Sequence, residues 1–152
     1  MKNKEVKRCL FCNKKLSTTS QYRSTTKYCE VHKHKARIKI DYKMYLKELN
    51  NLPKSFISWL VGFYEGEGNV GTAKKRMIYF QITQKDISPL KIIKKTLKIG
   101  KIKLEKRNNS FIHRYLINRS GYIFALLETF IPFMKSIIKI KQVKKILHQK
   151  YA

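Results

Sequence analysis

Between Met77 and Thr83 the apolar side chains Ile78, Phe80 and Ile82 alternate with Tyr79, Gln81 and Thr83. A period of two predicts a strand with one face turned to a core. Pro53, preceded by Asn50 and Asn51 as candidate caps, predicts a helix starting in its first turn and running through about Tyr64. A second helix is predicted from Ser88 to about Ile99, followed by Gly100. Two further strands, about Lys101 to Lys106 and Phe111 to Asn118, flank the turn Arg107-Asn108-Asn109-Ser110. Ser120 starts a helix through about Phe130, Pro132 breaks it, and a last basic helix is predicted from about Ile140 to Lys150. From Pro53 onward the order is α-β-β-α-β-β-α-α, an α+β layout with an antiparallel sheet.

The amino-terminal part lacks this periodicity and is rich in Cys, Ser, Thr and Lys. Its cysteines read C-L-F-C, Cys9 and Cys12, and then C-E-V-H, Cys29 and His32. Two pairs separated by a loop are what a tetrahedral Zn²⁺ requires, each pair biting the metal from one turn. A disulfide would leave one of the three cysteines over, and intracellular thiols stay reduced. His34, two residues past His32, is an alternative fourth ligand. Residues 1–35 are therefore expected to form a zinc-binding module, with 36–52 as a basic, partly helical linker and 53–152 as the main domain.

Charge narrows the partner. The chain has 152 residues, with 35 Lys plus Arg against 9 Asp plus Glu, for a formal net charge of +26. Such a field attracts polyanions, and nucleic acid is the first expectation, ahead of a ribosomal or cationic membrane-surface role. The first 25 residues lack the apolar core of a signal peptide, and Glu65 and Glu128 interrupt the longest apolar runs. A soluble, intracellular protein without a membrane partner is expected.

Within this basic chain, WLVGFYEGEGNV (residues 59–70) places Glu65 and Glu67 together beside Gly62 and Gly66. Each interior helical glycine costs about 1 kcal/mol relative to alanine. At spacing i, i+4 the two share a face, bared for the close approach of a second helix backbone. Gly66 alone also reads as a helix-ending cap. The two carboxylates fall at the negative end of the helix dipole. A divalent cation relieves that cost, as would nearby lysines.

The string LVGFYEGEG, residues 60–68, resembles the signature of the LAGLIDADG homing endonucleases, sharing Leu60, Gly62 and Gly68 and keeping acids at Glu65 and Glu67. FQITQKD (80–86) resembles the end of the second strand in single-motif members, and IKIKQ (138–142) the lysine-bearing segment before their last helix. The element order agrees, so the resemblance covers about residues 53–150. It implies the homing-endonuclease fold, with a saddle-shaped antiparallel sheet, preceded here by a small zinc-finger-like module.

The resemblance also implies a function. A single motif implies a two-fold homodimer packed through Gly62 and Gly66. Glu67, helped by the Gly66 carbonyl, is then the ligand of a catalytic Mg²⁺, with Gln84 and Lys141 around the water and phosphate and Glu65 mainly structural. The implied activity is a double-strand break with short 3′ overhangs at a long pseudo-palindromic DNA site. The sheet would read the major groove, and the candidates from its polar positions are Lys75, Tyr79 and Gln81, then Lys101, Lys103 and Glu105, then Arg114 and Asn118. Two alternatives on the same scaffold are a maturase that binds intron RNA and a DNA-binding regulator that does not cut.

Overall fold

Strand β2 (Ile78–Gln84) is the hub of the larger part of the chain, because its alternation lets Ile78, Phe80 and Ile82 enter the core. The computed structural model describes residues 7–10, 12–16, 29–74 and 77–151. They divide into two compact units, residues 1–40 and 41–152. Helix α1 (Glu30–Asn50) begins in the first unit and ends in the second. The second continues with α2 (Lys54–Glu67), β1 (Gly68–Thr72), β2, α3 (Ser88–Leu97), β3 (Lys101–Arg107), β4 (Ser110–Ile117), α4 (Ser120–Phe130) and α5 (Ile137–His148). The predicted α+β order is present. No described helix is long and apolar enough to cross a membrane.

The four strands form one antiparallel sheet in the order β1-β2-β4-β3. Phe80 opposes Ile117 and Ile82 opposes Tyr115, so these side chains share the helix-covered face. Onto it pack Ile57, Leu60, Val61 and Tyr64 of α2, Leu90, Ile93 and Leu97 of α3, and the apolar α4, all buried. Tyr64 stacks on Phe80 with centroids 5.3 Å apart, and Phe130 completes the cluster at 5.5 Å from Tyr64. Burial pushes the phenols of Tyr45, Tyr64 and Tyr115 well above their ordinary pKa, so they remain neutral.

Several boundaries differ from the sequence expectation. Pro53 is the N-cap of α2 rather than part of its first turn, and no side chain caps that end. Asn50 instead ends α1. Helix α2 runs past both interior glycines to Glu67. Helix α3 stops at Leu97, because Lys98 itself takes the left-handed cap conformation (φ 58°). Gly100 is still needed two residues on: its φ is +84°, and a Cβ there would lie 2.7 Å from the Tyr115 ring. Helix α5 begins at Ile137, with the Ser136 side chain accepting from the Lys139 backbone N–H.

The part of α1 inside the second unit turns Asp41, Tyr45 and Leu49 inward at i, i+4, i+8. Arg119 donates through Nε and Nη2 to the Asp41 carboxylate at 3.1 and 2.8 Å, and its guanidinium lies 4.5 Å over the Tyr122 ring. The Tyr45 hydroxyl donates to the Leu97 carbonyl at 3.1 Å. Replacing Asp41→Ala strips the acceptors from this fork and is expected to cost about 1–3 kcal/mol. The lower end is favoured because the Arg119 side chain is 41 % exposed and can rehydrate. Urea unfolding reads this as a lower midpoint with unchanged slope, whereas an unmoved midpoint would show that the pair adds nothing net.

Candidate functional site

Helix α2 passes into β1 without a loop. That junction requires Gly68, whose hypothetical Cβ would lie 2.7 Å from the Tyr64 carbonyl oxygen and 2.8 Å from the Tyr64 Cα. The two glutamates on either side of Gly66 part company, because two positions along a helix differ by about 200°. Glu65 turns toward α5, where its Oε1 accepts from the backbone N–H groups of Lys135 and Ser136 at 2.7 and 2.6 Å. A carboxylate at a helix N-terminus is favourably placed against the dipole. The contact ties the end of α2 to the start of α5.

Glu67 is exposed at the last position of α2, with no hydrogen bond or ion pair among the described residues. It borders a shallow hollow lined by Ser58, Trp59, Gly62, Phe63 and Gly66 of α2 and by Gln84 at the end of β2. The hollow thus joins Glu67 to one of the two other residues singled out with it, Gln84. Lys141 is exposed on α5 and does not line the hollow. The lysine of that segment which reaches the motif is Lys139: its Nζ donates to the Gly68 carbonyl and stands 5.4 Å over the Tyr64 ring. A Lys-x-Lys spacing in sequence does not reveal which residue faces inward, because two residues rotate a helical position by about 200°.

Gly62 and Gly66 are both exposed, and a Cβ on either would meet nothing within 4 Å. The protomer itself has no steric need for them. Beside them Trp59 is 39 % exposed and stacks at 5.1 Å on Phe63, leaving a small-and-aromatic face on α2.

The sheet face opposite the core follows from the register. Gln81 pairs with Asn69 and Leu116, Thr83 with Arg114, Arg114 with Lys103, and Leu116 with Lys101, so these residues share that face. Tyr79, Glu105 and Arg107 join them by the period of two. Four cations, Lys101, Lys103, Arg107 and Arg114, thus stand beside one carboxylate, Glu105. Asn118 follows the end of β4 and is exposed. Lys75 lies outside the described residues.

Two polar residues on this seam escaped the sequence reading. Gln142 of α5 donates to Asn69 Oδ1 at 2.6 Å and to the Val70 carbonyl at 2.8 Å, and Asn69 Nδ2 donates to the Tyr79 hydroxyl at 3.4 Å. Their only sequence signal is proximity to the glycine-acid string and to IKIKQ.

In the first unit a knuckle carries two cysteines. The Cys9 N–H donates to the Lys14 carbonyl, the Asn13 N–H to the Cys9 carbonyl, and Arg8 bridges Lys15. Asn13 turns the chain with φ 59°. Cys29 sits just before α1, accepting on its carbonyl from the N–H groups of His32 and Lys33. The donor atoms of Cys9, Cys12, Cys29 and His32 all lie within 4.8 Å of one another. Cys29 Sγ is 3.2 Å from His32 Nδ1 and 3.8 Å from Cys12 Sγ. His34 is exposed and lies outside this group. At Cys12 the Lys14 backbone favours the thiolate, but burial and the Cys9 and Cys29 thiols outweigh it and raise the pKa. A divalent cation bound there would favour the Cys12 thiolate instead. The donor set fits Zn²⁺.

No protein-family model matches the chain, and no curated protein matches it. Solved structures do. The homing endonuclease I-CvuI, solved with DNA in the presence of magnesium, is 19 % identical, with a TM-score of 0.51 over 64 % of this chain and 67 % of that one. The LAGLIDADG meganuclease I-AabMI, solved on uncleaved DNA, is 26 % identical with a TM-score of 0.52. That match covers 62 % of this chain and only 36 % of I-AabMI. The intron-encoded homing endonuclease I-CeuI, solved with DNA, is 20 % identical with a TM-score of 0.50 over 80 % and 71 % of the two chains. The chain therefore has the LAGLIDADG homing-endonuclease fold that its glycine-acid string resembles.

Proposed function

We propose that the protein is a site-specific DNA endonuclease that acts as a homodimer, depends on Mg²⁺ and leaves short 3′ overhangs at a long pseudo-palindromic site. The observation that carries this reading is Glu67: an exposed, unpartnered carboxylate at the end of a glycine-faced helix, beside Gln84. The last-turn carbonyls of α2 have no partner within the helix, so the Gly66 carbonyl and the Glu67 carboxylate together form the oxygen-rich donor set that a hard cation prefers. When bound there, Mg²⁺ polarises a scissile phosphate and stabilises the leaving oxygen. Gln84 orients the attacking water through its amide. A lysine ammonium from the 139–141 segment, Lys139 or Lys141, balances the charge that develops on the phosphate.

The face bearing Trp59, Gly62, Phe63 and Gly66 suits a second copy of α2, since an isologous contact brings the same bare backbone from both sides. The two Glu67 carboxylates then flank the two-fold axis, one for each DNA strand. Tyr79, Gln81, Lys101, Lys103, Glu105, Arg114 and Asn118 contact the major groove, as does Lys75. The Cys9, Cys12, Cys29 and His32 cluster holds a structural Zn²⁺, its four protein ligands leaving no open position for a substrate. Its basic unit adds phosphate contacts along the duplex.

Three measurements test this reading. With Mg²⁺ and a randomised pool of duplexes, wild type is expected to yield cut ends converging on one long site. Glu67→Gln is expected to cut at least roughly 10²–10³-fold more slowly while binding the same DNA. Equal cutting by both proteins would remove Glu67 from the mechanism; binding without cutting by either would leave only a nucleic-acid-binding role for the scaffold. Second, Gly62→Leu improves helix propensity by about 1 kcal/mol, so the monomer should melt no lower, while sedimentation should show the dimer lost. A variant that remains dimeric would place the subunit contact elsewhere. Third, the purified chain is expected to carry one zinc, retained by His34→Ala and lost in Cys29→Ser and His32→Ala. Metal analysis and the thiolate-to-metal absorption of the cobalt-substituted protein read this, and zinc retained in His32→Ala would refute the assigned donor set.

A further inference from the structure

Glu105 is the one acid among the described residues on the sheet's outer face, and it is not facing a cation by simple cross-strand pairing. The residue directly opposite it is Ile112, while Arg114 lies directly opposite Lys103. Arg114 nevertheless leans diagonally to Glu105, its Nη2 donating to Glu105 Oε2 at 2.7 Å. Both side chains are held close to the sheet, 24 % and 28 % exposed, whereas Arg107, 4.0 Å from the same oxygen, is 56 % exposed. The Arg114 Nε is buried without a hydrogen-bond partner.

These contacts fix which donors remain. With Nε turned inward and one Nη2 hydrogen committed to Glu105, the free edge of Arg114 is Nη1 with the second Nη2 hydrogen. That edge is a planar two-pronged fork, matched to O6 and N7 of guanine in the major groove. Lys101 and Lys103, with no such anchor, are mobile point charges suited to phosphate. Resting on the DNA-reading role of this sheet, we propose that Glu105 and Arg114 work as one specificity unit, in which Arg114 reads a guanine and Glu105 is the positioning residue that aims it.

The inference predicts opposite effects on affinity and on specificity. Removing the Glu105 charge strengthens sequence-independent attraction to the duplex and steepens its salt dependence, yet frees the Arg114 fork and weakens base choice. A merely structural Glu105 would move neither in this pattern. Full-length wild type, Arg114→Ala, Glu105→Gln, Glu105→Asp and the double variant Glu105→Gln/Arg114→Ala would each be used to select binders from a randomised duplex pool, with melting measured alongside. Selection by binding keeps the test independent of cleavage.

Arg114→Ala is expected to lower the preference for guanine at one position of each half-site by roughly 10- to 100-fold. Glu105→Gln should lose most of that preference at the same position while binding random DNA more tightly. Glu105→Asp should restore part of it, and the double variant should be no worse than Arg114→Ala. The proposal is overturned if Glu105→Gln keeps the guanine preference, if it disturbs a different position, or if the two single losses simply add. A wild type that selects no sequence at all would overturn the DNA-reading role itself, and this unit with it.

Discussion

The close approach of Tyr64 to Gly68 is the constraint on which the rest of the second unit depends. Because no Cβ fits at residue 68, helix α2 can end and strand β1 begin on successive residues. The Tyr64 ring that stands over this junction is also the centre of the aromatic core, stacked on Phe80 and touching Phe130. One side chain therefore ties the sheet, α2 and α4 to the point where the chain turns. Glu65 and Glu67, in the last helical turn before this junction, face different directions, the first bound to the start of α5 and the second left at the surface.

Helix α5, once anchored by Glu65, solves a second problem. Strand β1 is at the edge of the sheet, where unpaired carbonyls invite association with other chains. Lys139 and Gln142, one helical turn apart, donate to the carbonyls of Gly68 and Val70, and Gln149 reaches the Thr72 hydroxyl at 3.4 Å. The edge is covered by side chains rather than by another strand. The opposite edge, β3, carries Lys101, Lys103 and Lys106, and charge discourages pairing there. The sheet thus presents its polar face without offering its edges.

What the sequence disclosed, and what it withheld, follow one division. Strand β2 and helix α4 were legible because short-range periodicity and Pro132 carry them. The cysteine pairs were legible because two pairs of ligands at short spacing have a chemical reason, and the structure brings Cys9, Cys12, Cys29 and His32 together. The start of α5 was not, since its orphan N–H groups are satisfied by Glu65, seventy residues earlier. The end of α3 was missed because a lysine, not the nearby glycine, adopts the left-handed cap. That Lys139 rather than Lys141 faces Gly68 is visible only once the helix is docked. A distant partner acts at the start of α5 and at Lys139, whereas one residue's backbone conformation ends α3.

Acids are scarce in this chain, and their placement is selective. In a chain with 9 acids and 35 basic residues, carboxylates placed at random would mostly sit among lysines on the surface. Those described here are instead committed: Asp41 to Arg119, Glu65 to the start of α5, Asp86 to the Ser88 N–H, Glu105 to Arg114, and Glu128 to Tyr42 and Lys150. Among the described side chains only Glu48 and Glu67 hold nothing. Glu48 lies on the exposed side of α1, next in sequence to the cationic Lys47. Glu67 ends α2 against the helix dipole, which disfavours a bare carboxylate there, yet it borders a hollow that also contains Gln84. A fold that uses most of its few acids as internal ties leaves Glu67 without one at the junction it is built around, beside Gln84.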